Sequence, residues 1–203
     1  MRSDLPLHEK SPRRLTDEVQ TIIGAGLVTT SWALTVASYY LLANPATLET
    51  LRAELFAAIP DMSAPGAFSY QKLEKLQCLH GCVREGIRLS YGVSSRMPRL
   101  IDAPVPYGDW IIPPATPISM TILDVQFNET LYPKPHDFVP ERWFGSPKAP
   151  DGESMEKYWV AFGKGPRNCI GIKYVRQFDV LFRPGHLHSS LFVCESMLCP
   201  ISN

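Results

Sequence analysis

A cysteine placed two residues after an arginine and flanked by glycines can ligate a soft metal if the chain keeps it as a thiolate. Cys169 stands this way in AFGKGPRNCIG, the segment that ends at Gly171. Gly163 and Gly165 permit positive φ and a close approach of backbone to a ligand. Arg167 offers a planar cationic fork to a carboxylate, and Gly171 would let a following helix lie against a flat group. A helix starting there would aim backbone N–H groups at the sulfur and favour the thiolate. The same pattern serves equally well as a glycine-rich turn around a buried, inert thiol.

Three other groups of residues carry chemistry. Glu85 and Arg88, in EGIR, share one face of a helix; a lone pair of this kind is usually a solvated bridge of small worth. AGLVTT brings Gly26, Val28, Thr29 and Thr30 together inside an uncharged run, residues 22–43. SSRMPRL supplies Arg96 and Arg99 close behind Val93 and Ser94.

Elements must position these residues. Residues 1–90 read as helical, with a start near Ser11-Pro12 or Thr16 and a stop before Asn44-Pro45. Pro45 opens a second helix in which Leu48, Leu51 and Leu55 keep helical spacing. After a Pro/Gly/Ser loop over 60–69, residues 70–90 read as helix again. Eleven prolines between Pro98 and Pro150 exclude long helices there. Short β pieces, PVPY, WIIP and PISMTIL, surround a turn at Gly108-Asp109, and 128–147 reads as an irregular layer with one short helix.

The uncharged run is long enough to span a bilayer, with Arg13 and Arg14 then on the cytoplasmic side. Its two glycines and five Ser or Thr residues fit better with a helix buried on all sides of a protein. Twenty basic and twenty acidic residues cancel, so neither a nucleic acid nor an acidic surface is an expected partner. Five scattered cysteines without a CxxC pair argue against a disulfide framework or a zinc site. The charged opening has no h-region, so the expected setting is intracellular.

The Cys169 segment resembles the haem-binding signature of the cytochrome P-450 family, F-x-x-G-x-R-x-C-x-G, at Phe162, Gly165, Arg167, Cys169 and Gly171. The other groups occur in the family's order. The resemblance implies a partial cytochrome P-450 fold, mainly α with a small β component, and haem b (iron protoporphyrin IX) as cofactor. Cys169 would be the axial thiolate and metal ligand, Arg167 would hold a propionate, and Phe162 would shield the sulfur. Glu85 and Arg88 would join Arg142 of FVPERW in a buried structural set. AGLVTT is similar to the family's oxygen-binding segment, with Gly26 opening the groove to dioxygen and Thr29 donating a hydrogen bond to it. Val28 stands where the family usually has an acid. Arg99, with Arg96 as the alternative, would make the second propionate contact, and Val93 and Ser94 would face substrate.

By this resemblance the chain is expected to be a haem-thiolate monooxygenase of fungal type. It would use dioxygen and electrons from an NADPH-dependent reductase to oxidise a small organic substrate, as in secondary metabolism. The match covers roughly residues 1–172, the C-terminal part of a family member. The expected domain is residues 1–183, with a following helix over 172–182. Residues 184–203 resemble no part of the family and are expected to form a poorly ordered tail, as a shifted frame or retained intron would produce. Relatives of this type are usually held at the endoplasmic reticulum by an anchor in their amino-terminal half. A non-catalytic remnant that binds haem weakly is the alternative expectation.

Overall fold

The computed structural model describes residues 6–61 and 70–172. The helix expected over 172–182 and the tail 184–203 lie outside the described residues except for Ile172. The described chain is mainly helical with one two-stranded sheet, as the sequence implies.

Helix α1, Pro12–Ala43, starts where Ser11 stays extended and its side chain accepts the Arg14 N–H at 3.4 Å. Pro12 takes the first helical position, where its missing N–H leaves nothing unpaired. The helix ends at Asn44, and Pro45 opens α2, Pro45–Ala58, whose Leu48, Leu51 and Leu55 are buried along one face.

The stretch expected as one helix over 70–90 is two, α3, Tyr70–Leu73, and α4, Gln77–Leu89. The break has a tertiary cause. The Glu54 carboxylate on α2 accepts the N–H groups of Cys78 and Leu79, each at 2.9 Å. These are donors that a helix start leaves unpaired, so a residue more than twenty positions earlier stabilises a new start. Local periodicity carries no trace of it.

Helix α4 is the centre of the fold. On one side it meets α1 so closely that a Cβ placed on Gly86 would lie 2.6 Å from the Cβ of Ala37. On the other, a Cβ at Gly81 would lie 2.5 Å from the carbonyl oxygen of Pro140, in the 3-10 turn Pro140–Trp143. Ala37, Leu41, Leu51, Leu55, Leu79 and Cys82 form the main core among α1, α2 and α4. A second cluster, Tyr132, Trp143, Ala149, Met155 and Trp159, lies under the proline-rich layer.

Strands β1, Val105–Tyr107, and β2, Trp110–Ile112, pair antiparallel, with Tyr107 opposite Trp110 and Gly108 turning at φ 56°. PISMTIL, expected as β, contributes one bridge, Ile118 to Arg99. Its end turns into α5, Leu123–Gln126, because the Thr121 hydroxyl accepts the Leu123 N–H at 3.3 Å. Helix α6, Met155–Tyr158, is capped by Ser154 and leads into the Cys169 loop.

The expectation that residues 22–43 are buried on all sides is corrected. Ile23, Leu27 and Val28 are each more than 60% exposed, and burial sets in from Ala33 onward, with Ala37 and Leu41 in the core. Among the described residues, α4 covers only the C-terminal part of α1. Its hydroxyls bond to its own backbone, Thr21 to Asp17 at 2.8 Å, Thr29 to Ala25 at 2.8 Å and Thr35 to Ser31 at 2.9 Å. By length and composition α1 could also cross a membrane.

Candidate functional site

Glu85 and Arg88 are fully buried, one turn apart on α4. They form a two-pronged pair, with Arg88 Nε donating to Oε2 at 2.9 Å and Nη2 to Oε1 at 2.7 Å. Arg142 reaches the same carboxylate from the 3-10 turn, its Nε donating to Oε1 at 3.2 Å. The structure thus brings together all three residues that the sequence grouped. It adds two that sequence reasoning missed: Trp143 Nε1 donates to Oε2 at 2.9 Å, and the Val139 N–H donates to Oε1 at 3.2 Å. The remaining Arg88 donors go to the carbonyls of Gln126, Pro135 and Asp137 at 2.9, 2.6 and 3.2 Å. Arg142 Nη2 donates to Lys134 O at 2.8 Å. This network ties the proline-rich layer to α4, and Tyr132 seals it. Burial pushes the Tyr132 hydroxyl up to about 12, although Arg88 beneath its ring pulls the other way.

The Cys169 loop hangs from this layer. After α6, Gly163 donates its N–H to Val160 O at 2.8 Å at φ 70°. Gly165 opens a 3-10 turn, Gly165–Arg167, at φ 77°. Both are left-handed conformations in which a Cβ would be strained. The loop closes where the Cys169 N–H donates to Phe162 O at 2.8 Å. Phe162 is half-buried and meets Trp159 edge-on, ring centres 5.3 Å apart. A Cβ at Gly171 would lie 3.6 Å from Cys169 Sγ, in ordinary contact, so Gly171 stands directly beside the sulfur. Arg167 is exposed on the loop.

Cys169 is exposed, whereas Cys78 and Cys82 are buried. The Cys82 thiol is pushed up by its hydrogen bond with Cys78 and by burial, so it stays protonated. Among the described residues, then, Cys169 is the cysteine open to an external ligand.

The loop connects back to α1 by a short path. Trp32 Nε1 on α1 donates to Ser90 O, at the end of α4, at 2.8 Å. Two residues later, a Cβ at Gly92 would lie 3.6 Å from the carbonyl oxygen of Ala161, beside Phe162. Val93, Ser94, Arg96 and Arg99 follow, all exposed. Arg99 Nη1 folds back on the carbonyls of Met97 and Pro98 at 3.3 and 3.2 Å. Gly26 and Thr29 lie on the uncovered part of α1. A Cβ on Gly26 would meet nothing within 4 Å, and the exposed Thr29 hydroxyl is engaged with Ala25.

The residues present fit a haem. A free, exposed thiol projects from a loop held by main-chain hydrogen bonds, and thiolate is a recognised iron ligand. Arg167 and Arg99 present exposed guanidinium groups, a type of group that pairs with carboxylates.

A family model for cytochrome P450 matches residues 3–174. The chain is 55% identical over 174 residues to the cytochrome P450 monooxygenase sdnE of Sordaria araneosa, covering 85% of this chain and 33% of that protein. It is 45% identical over 177 residues to the cytochrome P450 monooxygenase MO6277 of Ascocoryne sarcoides, covering 87% and 34%. It is 38% identical over 170 residues to the N-acetyltryptophan 6-hydroxylase ivoC of Emericella nidulans, covering 84% and 33%. With a family model matched over residues 3–174 and a relative 55% identical across 85% of its residues, this chain belongs to the cytochrome P450 family. It spans about a third of the length of the curated relatives it matches.

Proposed function

We propose that the chain is the haem-thiolate part of a fungal monooxygenase that oxidises a small organic substrate with dioxygen and electrons from an NADPH-dependent reductase. The observation that carries this reading is the exposed Cys169, held by its N–H to Phe162 O on a loop braced by the Glu85 network.

In this reading Cys169 ligates the iron, Arg167 and Arg99 pair with the propionates, and Phe162 keeps water from the sulfur. Glu85, Arg88 and Arg142 fix the layer that carries the loop and take no part in bond making. When bound, the haem supplies dioxygen activation, which an electron-rich thiolate ligand favours. Gly26 leaves room on α1 for dioxygen. Thr29 releases Ala25 and donates its hydroxyl hydrogen bond toward the oxygen site. Val28, at the position where the family usually has an acid, has no proton to give. Although the chain as a whole carries no net charge, Lys164 and Arg167 give the loop a local positive face for the reductase, and the remaining length of such a protein supplies most of the substrate pocket.

The test is the absorption spectrum of the purified chain supplemented with haem, reduced and exposed to carbon monoxide, beside a Cys169→Ala control. A strongly red-shifted Soret band that vanishes in the control is expected. Free-haem absorption in both samples would defeat the reading. A second reading, a non-catalytic chain that holds haem weakly, is favoured by the exposure of Gly26 and Thr29. Substrate-dependent consumption of NADPH in the presence of a reductase separates the two.

A further inference from the structure

Arg84 immediately precedes Glu85 on α4, yet it takes no part in the Glu85 network. Its side chain is nearly buried, 11% exposed. The guanidinium carbon lies 4.4 Å from the centre of the Trp159 ring and 5.4 Å from that of Trp143. Nε donates to His80 Nε2 at 3.0 Å, and Nη1 pairs with Glu156 of α6. A cation between two indoles, neutralised from the side by a carboxylate, can stay in a dry layer. A planar guanidinium stacks on a ring in a way an ammonium does not.

What the stack holds is the approach to the cysteine. Trp159 meets Trp143 edge-on at 6.4 Å between ring centres and Phe162 edge-on at 5.3 Å. The Phe162 carbonyl is the acceptor of the Cys169 N–H. Arg84, Trp159, Phe162 and Cys169 therefore form one continuous line from α4 to the sulfur-bearing residue. Glu156 anchors the same cation to α6, where the loop begins.

We propose that Arg84 is a positioning residue for Cys169, fixing the ligand loop through the Trp159–Phe162 ring contact; as a statement about a haem ligand this rests on the proposed function. The residue touches neither the cysteine nor the expected cofactor. It acts by restricting Trp159, and through it the carbonyl that pins the loop.

The experiment is amide hydrogen exchange followed by mass spectrometry on the full ligand-free chain, comparing Arg84→Gln and Arg84→Lys with the parent. In Arg84→Gln, exchange across 162–171 should rise about tenfold, while the α4 amides, held by the intact Glu85 network, keep their rates. Arg84→Lys keeps the charge but loses the planar stack, and its rise should be smaller, about threefold. It also carries the test if the glutamine variant does not fold. Unchanged loop exchange, or an equal rise in α4 and the loop, would overturn the proposal. The carbon monoxide spectra of the same haem-supplemented variants then test the dependent statement. If the parent shows the red-shifted band, Arg84→Gln should convert at least half of it to the unshifted form, and an unaltered band would reject a role toward the ligand. If the parent lacks the band but loop exchange still responds to Arg84, the proposed function fails and the loop assignment stands.

Discussion

Glu85 is a carboxylate in a dry place, and five N–H groups face it: two from Arg88 and one each from Arg142, Trp143 and Val139. Arg88 is buried with it and has no route to water. Breaking such a set leaves an uncompensated charge, at a cost of about 3–5 kcal/mol. Glu85→Gln should therefore lower stability by about that much, read as the shift of the urea midpoint with the slope unchanged. A change below about 1 kcal/mol would show that the network is dispensable. Tyr132 gives a pH dependence beside it. Its folded pKa, about 12, lies above the ordinary value of 10.0, so the folded state holds the proton more tightly than the unfolded one. The stabilisation from this hydroxyl is complete below pH 10 and is lost as pH rises toward 12. The Tyr132→Phe variant should lack this part of the alkaline loss, and equal alkaline profiles for the two proteins would refute the assignment.

At the scale of elements, α4 succeeds because it is narrow where it must be. Gly86 faces the Ala37 Cβ and Cα on α1, which have no flexible end to move aside. Gly86→Ala gains about 1 kcal/mol in helix propensity but overpacks the α1–α4 crossing, a cost of about 1–3 kcal/mol. We expect a net loss in urea unfolding, and a gain would mean that the two helices part freely. The start of α4 depends on Glu54 of α2. Glu54→Ala should cost about 1 kcal/mol, as loss of an N-terminal cap does, and should raise amide exchange at Cys78 and Leu79 ahead of the rest of the helix. Exchange that rises evenly along α4 would argue against a capping role.

At the scale of the molecule, the main core takes in only the C-terminal part of α1. Leu15, Val19, Ile22, Ile23, Leu27 and Val28 lie open along the remainder. A continuous apolar surface of this kind binds hydrophobic dyes and favours association. Ile23→Lys combined with Leu27→Lys, four residues apart on one face, should reduce anilinonaphthalene sulfonate fluorescence and self-association without changing the urea midpoint. Dye binding equal to the parent would locate the open surface elsewhere, with the hairpin tip at Tyr107, Trp110 and Ile111 the next place to look.

Much of this protein follows from local pattern. The ends of α1 and the start of α2 are set by Ser11-Pro12 and Asn44-Pro45, because a proline and a capping side chain act within one turn of themselves. The left-handed glycines of the cysteine loop are legible for the same reason: only glycine takes φ near +70° without strain. Spacing alone puts Glu85 and Arg88 on one helix face, whereas the grouping of Arg142 with them and the role expected of Cys169 come from the resemblance to the family. What only the tertiary structure decided are contacts between residues far apart in the chain. Glu54 breaks the expected helix over 70–90, Trp143 and Val139 complete the Glu85 shell, and Arg84 turns from the charge network to the indoles. The exposure of α1 belongs here too, since periodicity reports an apolar helix but not whether a neighbour covers it. Local propensity is written in adjacent side chains, whereas burial and long-range hydrogen bonding exist only once the chain has brought distant residues together.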